Sequence, residues 1–214
     1  MKKIIYQVDA FTDEPFKGNP AGVMLCDALM APELMQNIAM EMNLSETAFI
    51  APDGDDFQIR YFTPVKEVPL CGHATLASAH ILYESGVKKP DDTLFLKAKG
   101  AELTINRNND WIVINFPKYP LKKIDTPAAF KEIVGFEPIE TYLSSYDWIV
   151  AVAGSETDIE RAKPDLWSEK LNKVEMDSLQ ISQRIGKLKV RRAENDRMEI
   201  SGKAIAVFEA NWKI

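Results

Sequence analysis

Glu46, Cys71 and His73 are the residues whose types and surroundings could do chemistry. Glu46 lies in Asn43-Leu44-Ser45-Glu46-Thr47-Ala48-Phe49, a short polar step between a helical pattern and an apolar strand. In an open loop it would be a solvated charge. At a strand start facing a cleft, burial would raise its pKa and fit it for acid/base work. Cys71, Gly72 and His73 lead from an extended segment with two prolines, Pro64 and Pro69, into a second helix. Gly72 permits close backbone approach. The free N–H groups of a first helical turn suit a carboxylate ligand, by on the order of 1 kcal/mol. The alternative is a simple helix start with His73 as a polar cap. Cys71 is either an acid/base thiol, its pKa lowered by that helix N-terminus, or a small buried hydrophobe. Cys26 follows a strand and reads as structural. His80, about two turns beyond His73, reads as a satisfied core histidine.

These residues need a scaffold, and the apolar periodicity supplies one. Ile4–Ala10, Val23–Leu25, Thr47–Ile50, Phe57–Phe62, Leu94–Leu96, Glu102–Asn106 and Trp111–Phe116 read as strands. Ala31–Met42 carries Leu34, Ile38 and Met42 at spacing four and opens on Pro32, as an amphipathic helix does. His73–Glu84 is different. Ala74, Leu76, Ala77, Ala79, Ile81 and Leu82 leave it little polar face, and a helix apolar almost all round is a buried one. Many strands around one buried helix predict an α+β fold, a curled sheet with the helix inside.

Pro117-Lys118-Tyr119-Pro120 marks a domain boundary. The expected organisation is a complete first half, residues 1–118, with its central helix at about 73–84. A shortened second half, 119–214, would follow, with final strands able to return to the first domain. Within that second half Ala128–Val134, Ile159–Ala162 and Trp167–Leu171 read as helices. Thr141–Ser144 and Trp148–Val152 read as strands. Leu103, Ile105, Arg107, Asp110, Ile112 and Ile114 match Leu188, Val190, Arg192, Asp196, Met198 and Ile200, each set preceded by a glycine, Gly100 or Gly186. Either any two alternating hairpins look alike, or the architecture is pseudo-duplicated with a ligand cleft between related halves.

Charge and cysteine usage exclude several classes. A net charge of −6 argues against nucleic-acid binding, which rests on a basic surface. Two cysteines and two histidines without a CxxC give neither a disulfide scaffold nor a recognisable metal site. No apolar stretch approaches the roughly 18 residues of a membrane span, and no signal peptide is visible. The expectation is a cytoplasmic protein with reduced thiols and no membrane partner.

Three motifs together resemble the PhzF family of phenazine-biosynthesis-like isomerases. They are Asp9-Ala10-Phe11-Thr12 with Gly18-Asn19-Pro20-Ala21, then Asn43-Leu44-Ser45-Glu46-Thr47, then Cys71-Gly72-His73-Ala74-Thr75. The resemblance implies a diaminopimelate epimerase-like fold of two pseudo-symmetric halves, each a curled sheet around a central helix, with the site in the cleft. It implies Glu46 as the catalytic acid/base, moving a proton between carbons of a small carboxylic acid. It places Asn19, Gly72, His73 and Ala74 in substrate binding. No cofactor and no metal are implied, and a homodimer is. Cys71 matches the position of one catalytic cysteine in diaminopimelate epimerases.

The chain departs from this family in its second half. The family's Glu-Asp-Pro and Thr-Gly-Ser motifs have no counterpart, and about 45 residues would be missing if duplicated halves have similar size. Two further readings follow. One is a catalytically inactive paralogue acting as a binding or dimerisation module. The other is an epimerase using Cys71, which lacks a partner thiol for a second base.

Overall fold

The structure is a computed structural model that describes residues 2–144, 149–162, 187–195 and 197–213. The predicted helix at Trp167–Leu171, and Trp148, Gly186 and Asp196, lie outside the described residues. The chain divides into two compact units, residues 1–117 with 184–214, and residues 118–183. Among the described residues no helix is long and apolar enough to cross a membrane.

The first unit is built on strands β1 (Lys2–Ala10), β2 (Asn19–Leu25), β3 (Glu46–Asp53), β4 (Asp56–Phe62), β5 (Glu67–Val68), β6 (Leu94–Lys97), β7 (Glu102–Asn108) and β8 (Trp111–Pro117). After the second unit the chain returns as β12 (Leu188–Arg192), β13 (Arg197–Gly202) and β14 (Ala204–Lys213). These strands form one sheet in the order β12-β13-β8-β7-β6-β4-β3-β2-β1-β14, with β5 beside β4. Only Lys203 separates β13 from β14, yet seven strands lie between them in the sheet. The sheet must therefore curl until its two ends meet. Helix α2 (Gly72–Glu84) lies inside the curl, against β1, β2, β3, β8 and β14. This is the buried helix around which the sequence predicts a curled sheet. Gly202 sits at the closure, where a β-carbon would come within 2.5 Å of the Phe11 ring and 3.2 Å of Leu76.

Helix α1 (Pro32–Met42) covers the outside of the sheet. It joins β2 to β3, which pair in parallel and so need a crossover. Asn43 ends it in the left-handed conformation, φ 49°, returning its N–H to the Ala39 carbonyl. Met35, Ile38 and Ala39 pack with Ile5, Met24, Phe49 and Phe62 of the sheet. Because strand side chains alternate, the neighbours Val23, Ala48 and Tyr61 face the other way, toward α2. The buried Tyr61 hydroxyl accordingly meets Thr75 Oγ1 of α2 at 2.6 Å.

The matching hairpins found in the sequence, β7–β8 and β12–β13, lie side by side in this one sheet, joined by antiparallel pairing of β8 with β13. The short β5, the long β14 and the strand Leu121–Ile124 are not among the strands predicted from periodicity. The second unit contains β9 (Leu121–Ile124), α3 (Phe130–Val134), β10 (Glu140–Ser144), β11 (Ile149–Val152) and α4 (Glu156–Arg161). Its three strands pair antiparallel in the order β11-β10-β9. Phe130, Ile133, Val134, Phe136 and Ala162 form its core, with Ile149, Ala151 and Ala153 against them.

Candidate active site

The turn between β1 and β2 contains Gly18 at φ +63°, where a β-carbon would fall 2.1 Å from the Ala10 carbonyl oxygen. Only glycine fits, and Asn19 follows as the first residue of β2. Asn19 and Ala21 share the α2 face of that strand by alternation. Ala21 pairs across to Glu46, the first residue of β3. Glu46 shares a face with Ala48 and so points toward α2. The extended strand β5 and Pro69 bring the chain back to start α2 at Gly72, with Cys71 as its N-terminal flanking residue.

These separate constraints put four side chains together. Glu46 Oε2 lies 3.0 Å from His73 Nε2, with the two side chains 13% and 9% exposed. Ser45 Oγ is 3.2 Å from the same nitrogen and donates to the Pro20 carbonyl at 3.3 Å. Cys71 Sγ is 3.5 Å from His73 Nδ1 and 4.0 Å from Nε2. Glu46 is thus held against His73 and away from the outer surface. His73 is not a cap, since the start of α2 has no side-chain cap.

Burial pushes the Glu46 carboxyl up, but the close contact and positive charge of His73, with Ser45 and Cys71 beside it, outweigh it and hold the carboxyl below its usual range. The sequence suggests a carboxyl raised by burial; the adjacent imidazole reverses that direction. Burial likewise pushes His73 down, and the Cys71 sulfur and the Glu46 carboxylate overcome it, raising the imidazole to about 10. The ground state is therefore a carboxylate beside an imidazolium in a nearly dry site.

The remaining sequence candidates fall around this group. The first intrahelical bond of α2 is from Thr75 N–H to the Cys71 carbonyl at 3.1 Å, so the N–H groups of Gly72, His73 and Ala74 have no intrahelical acceptor. A β-carbon on Gly72 would meet only Phe116 Cζ at 3.8 Å, so there is room beside it. Ala74 is wholly buried. Ser45 is a member of the site that sequence reasoning did not assign, although it stands beside Glu46 in the motif. Cys26 belongs to the cluster under α1, on the opposite face of the sheet from Cys71. The two thiols cannot act as a pair. Glu46, Cys71 and His73 place their ligating atoms within 4.8 Å of one another and are the described residues able to hold a metal ion together.

The sequence model of the phenazine biosynthesis-like (PhzC-PhzF) family matches residues 8–179. The chain belongs to this family. An uncharacterized isomerase of Pseudomonas aeruginosa is 32% identical over the whole of both chains. A second uncharacterized isomerase, from Halalkalibacterium halodurans, is 31% identical across 96% of this chain and 97% of its own. The crystal structure of a PhzF-family phenazine biosynthesis protein from Enterococcus faecalis superposes with a TM-score of 0.83 at 26% identity, covering all of both chains.

Proposed function

We propose that the protein is a cofactor-independent isomerase that shifts a proton in a small carboxylic acid. The carrying observation is the Glu46 carboxylate held 3.0 Å from His73 Nε2 at the head of α2. Glu46 is the base. It takes a proton from a carbon activated by the substrate carboxylate and returns it to another carbon. The substrate carboxylate sits on the unpaired N–H groups of Gly72, His73 and Ala74, with Asn19 at the edge of the same face. A carboxylate with a depressed pKa is a weak base. A bound substrate anion is a like charge and raises that pKa toward what proton transfer needs. The His73 imidazolium balances the negative charge that builds up during the transfer.

Incubating candidate small carboxylic acids with the protein in D2O and following deuterium incorporation by NMR tests this. Glu46→Gln should slow incorporation by about 10²–10⁴-fold. Exchange at the wild-type rate in Glu46→Gln overturns the assignment. The relatives named as isomerases favour this reading over an inactive binding module.

The same proposal includes a shortened second half. The alignment with the P. aeruginosa relative runs over 263 positions, whereas this chain has 214 residues, so it carries long gaps on this side. In the second unit Val150 and Val152 alternate with the packed Ile149 and Ala151 and stay exposed, as do Leu121 and Ile139. A second copy covering this apolar surface would make the protein a homodimer. Light scattering at micromolar concentration tests it, and a monodisperse monomer would refute it.

A further inference from the structure

The trio that carries the proposed proton transfer also has the composition of a soft-metal site. We propose that Glu46, Cys71 and His73 bind one divalent cation of the zinc class, which blocks the isomerase site. Zinc takes thiolate sulfur at about 2.3 Å, imidazole nitrogen at about 2.0–2.1 Å and carboxylate oxygen at about 2.0–2.2 Å, in tetrahedral geometry. Donors around such an ion stand roughly 3.3–3.6 Å apart. Here Oε2 and Nε2 are 3.0 Å apart and Sγ and Nε2 are 4.0 Å apart. All three lie within 4.8 Å, so small side-chain movements complete the three-point cradle. Three protein ligands leave a fourth position for water.

A second observation points the same way. Glu46 Oε2 is buried and makes no hydrogen bond of acceptable geometry, its close approach to His73 being ionic. A carboxylate oxygen held only by an ionic contact can exchange the imidazolium for a metal cation. On binding, Sγ, Nε2 and Oε2 each form a coordinate bond, and the thiol proton and the imidazolium proton leave to solvent. The ion then occupies the base and its partner, so metal and turnover exclude one another. The identity of the occluded site as an isomerase site rests on the proposed function; the metal site does not.

Titrating the purified, reduced full chain with Co²⁺ as the spectroscopic probe tests this without an activity assay. One equivalent should bind per chain, with a near-ultraviolet thiolate-to-cobalt charge-transfer band and tetrahedral visible bands, and Zn²⁺ should displace it. Cys71→Ser should abolish the charge-transfer band and weaken binding by more than about 100-fold, beyond the loss caused by removing a group that only hydrogen-bonds to a ligand. Cys26→Ser should leave both intact, and circular dichroism should show each variant folded. Absence of the band in the wild type, or its survival in Cys71→Ser, overturns the proposal. Where a turnover assay exists, Zn²⁺ should inhibit and EDTA should restore activity. Tight binding without inhibition would remove the blocking role and leave the metal site standing.

Discussion

His73 and His80 lie about two turns apart on one buried helix, yet their surroundings drive them in opposite directions. At the head of α2, burial is overruled by the Cys71 sulfur and the Glu46 carboxylate, and the imidazole is raised. Toward the other end burial wins. Glu84 pulls His80 up and Arg107 pushes it down, and the ring titrates below its ordinary value. There Glu84 is spent on Arg107, 3.0 Å away at the surface, and the guanidinium also lies over the Tyr83 ring. Burial alone therefore does not make a site. A buried histidine becomes chemically poised where the fold delivers a charged partner that has no competing cation.

The strongest way to break this comparison is to exchange the two residues' fates. His73→Asn should lower proton exchange by at least about 10²-fold, whereas His80→Gln should leave it within about twofold. Equal losses, measured on folded proteins, would mean that neither end is special. Between the two ends lies the packing that holds them. Leu76 is wholly buried, and Leu76→Ala should cost about 2–5 kcal/mol in urea unfolding. A cost under about 0.5 kcal/mol would place this helix face in solvent.

Stability against pH separates the ends next. The raised His73 contributes stability that is full below about 6.5 and is lost as pH rises to about 10. The lowered Glu46 contributes stability present above about 4.5 and lost as pH falls through its folded value. Glu46→Gln should thus destabilise by about 1–3 kcal/mol near pH 6 and by less near pH 10. A difference that grows toward pH 10 would contradict the ion pair. The smallest effect is at the far end. Arg107→Gln should raise the His80 pKa, seen by NMR titration, with no change at His73, since Arg107 is the charged group that adds to burial in lowering it.

What the sequence made legible follows from local pattern. The near-continuous apolar surface of Gly72–Glu84 marks a buried helix because no solvated face could accommodate it, and alternation marks β4, β7 and β8. β14 escaped because Ala204–Lys213 shows no clean alternation, and its place is set by pairing with β1 across nearly the whole chain. The second unit's β9, Leu121-Lys122-Lys123-Ile124, is too short and too charged to announce itself. In the site, Glu46 and His73 were legible as motif members. The 3.0 Å contact was not, because it depends on the parallel β2–β3 pairing and on the curl that sets α2 against β3. The direction of the Glu46 pKa was missed for the same reason: burial can be guessed from residue type, whereas an imidazole delivered from another element cannot.

The central claim is that Glu46 and His73 stand as carboxylate and imidazolium. The direct measurement is ¹⁵N NMR of the two histidine side chains across pH 5 to 10.5, since the chain contains only His73 and His80. The account predicts that His73 keeps both ring nitrogens protonated through neutrality and titrates only toward about 10, while His80 titrates below its ordinary value. In Glu46→Gln the His73 midpoint should move down. A wild-type His73 that loses its proton near 6.5, or is already neutral at pH 7, would contradict the account.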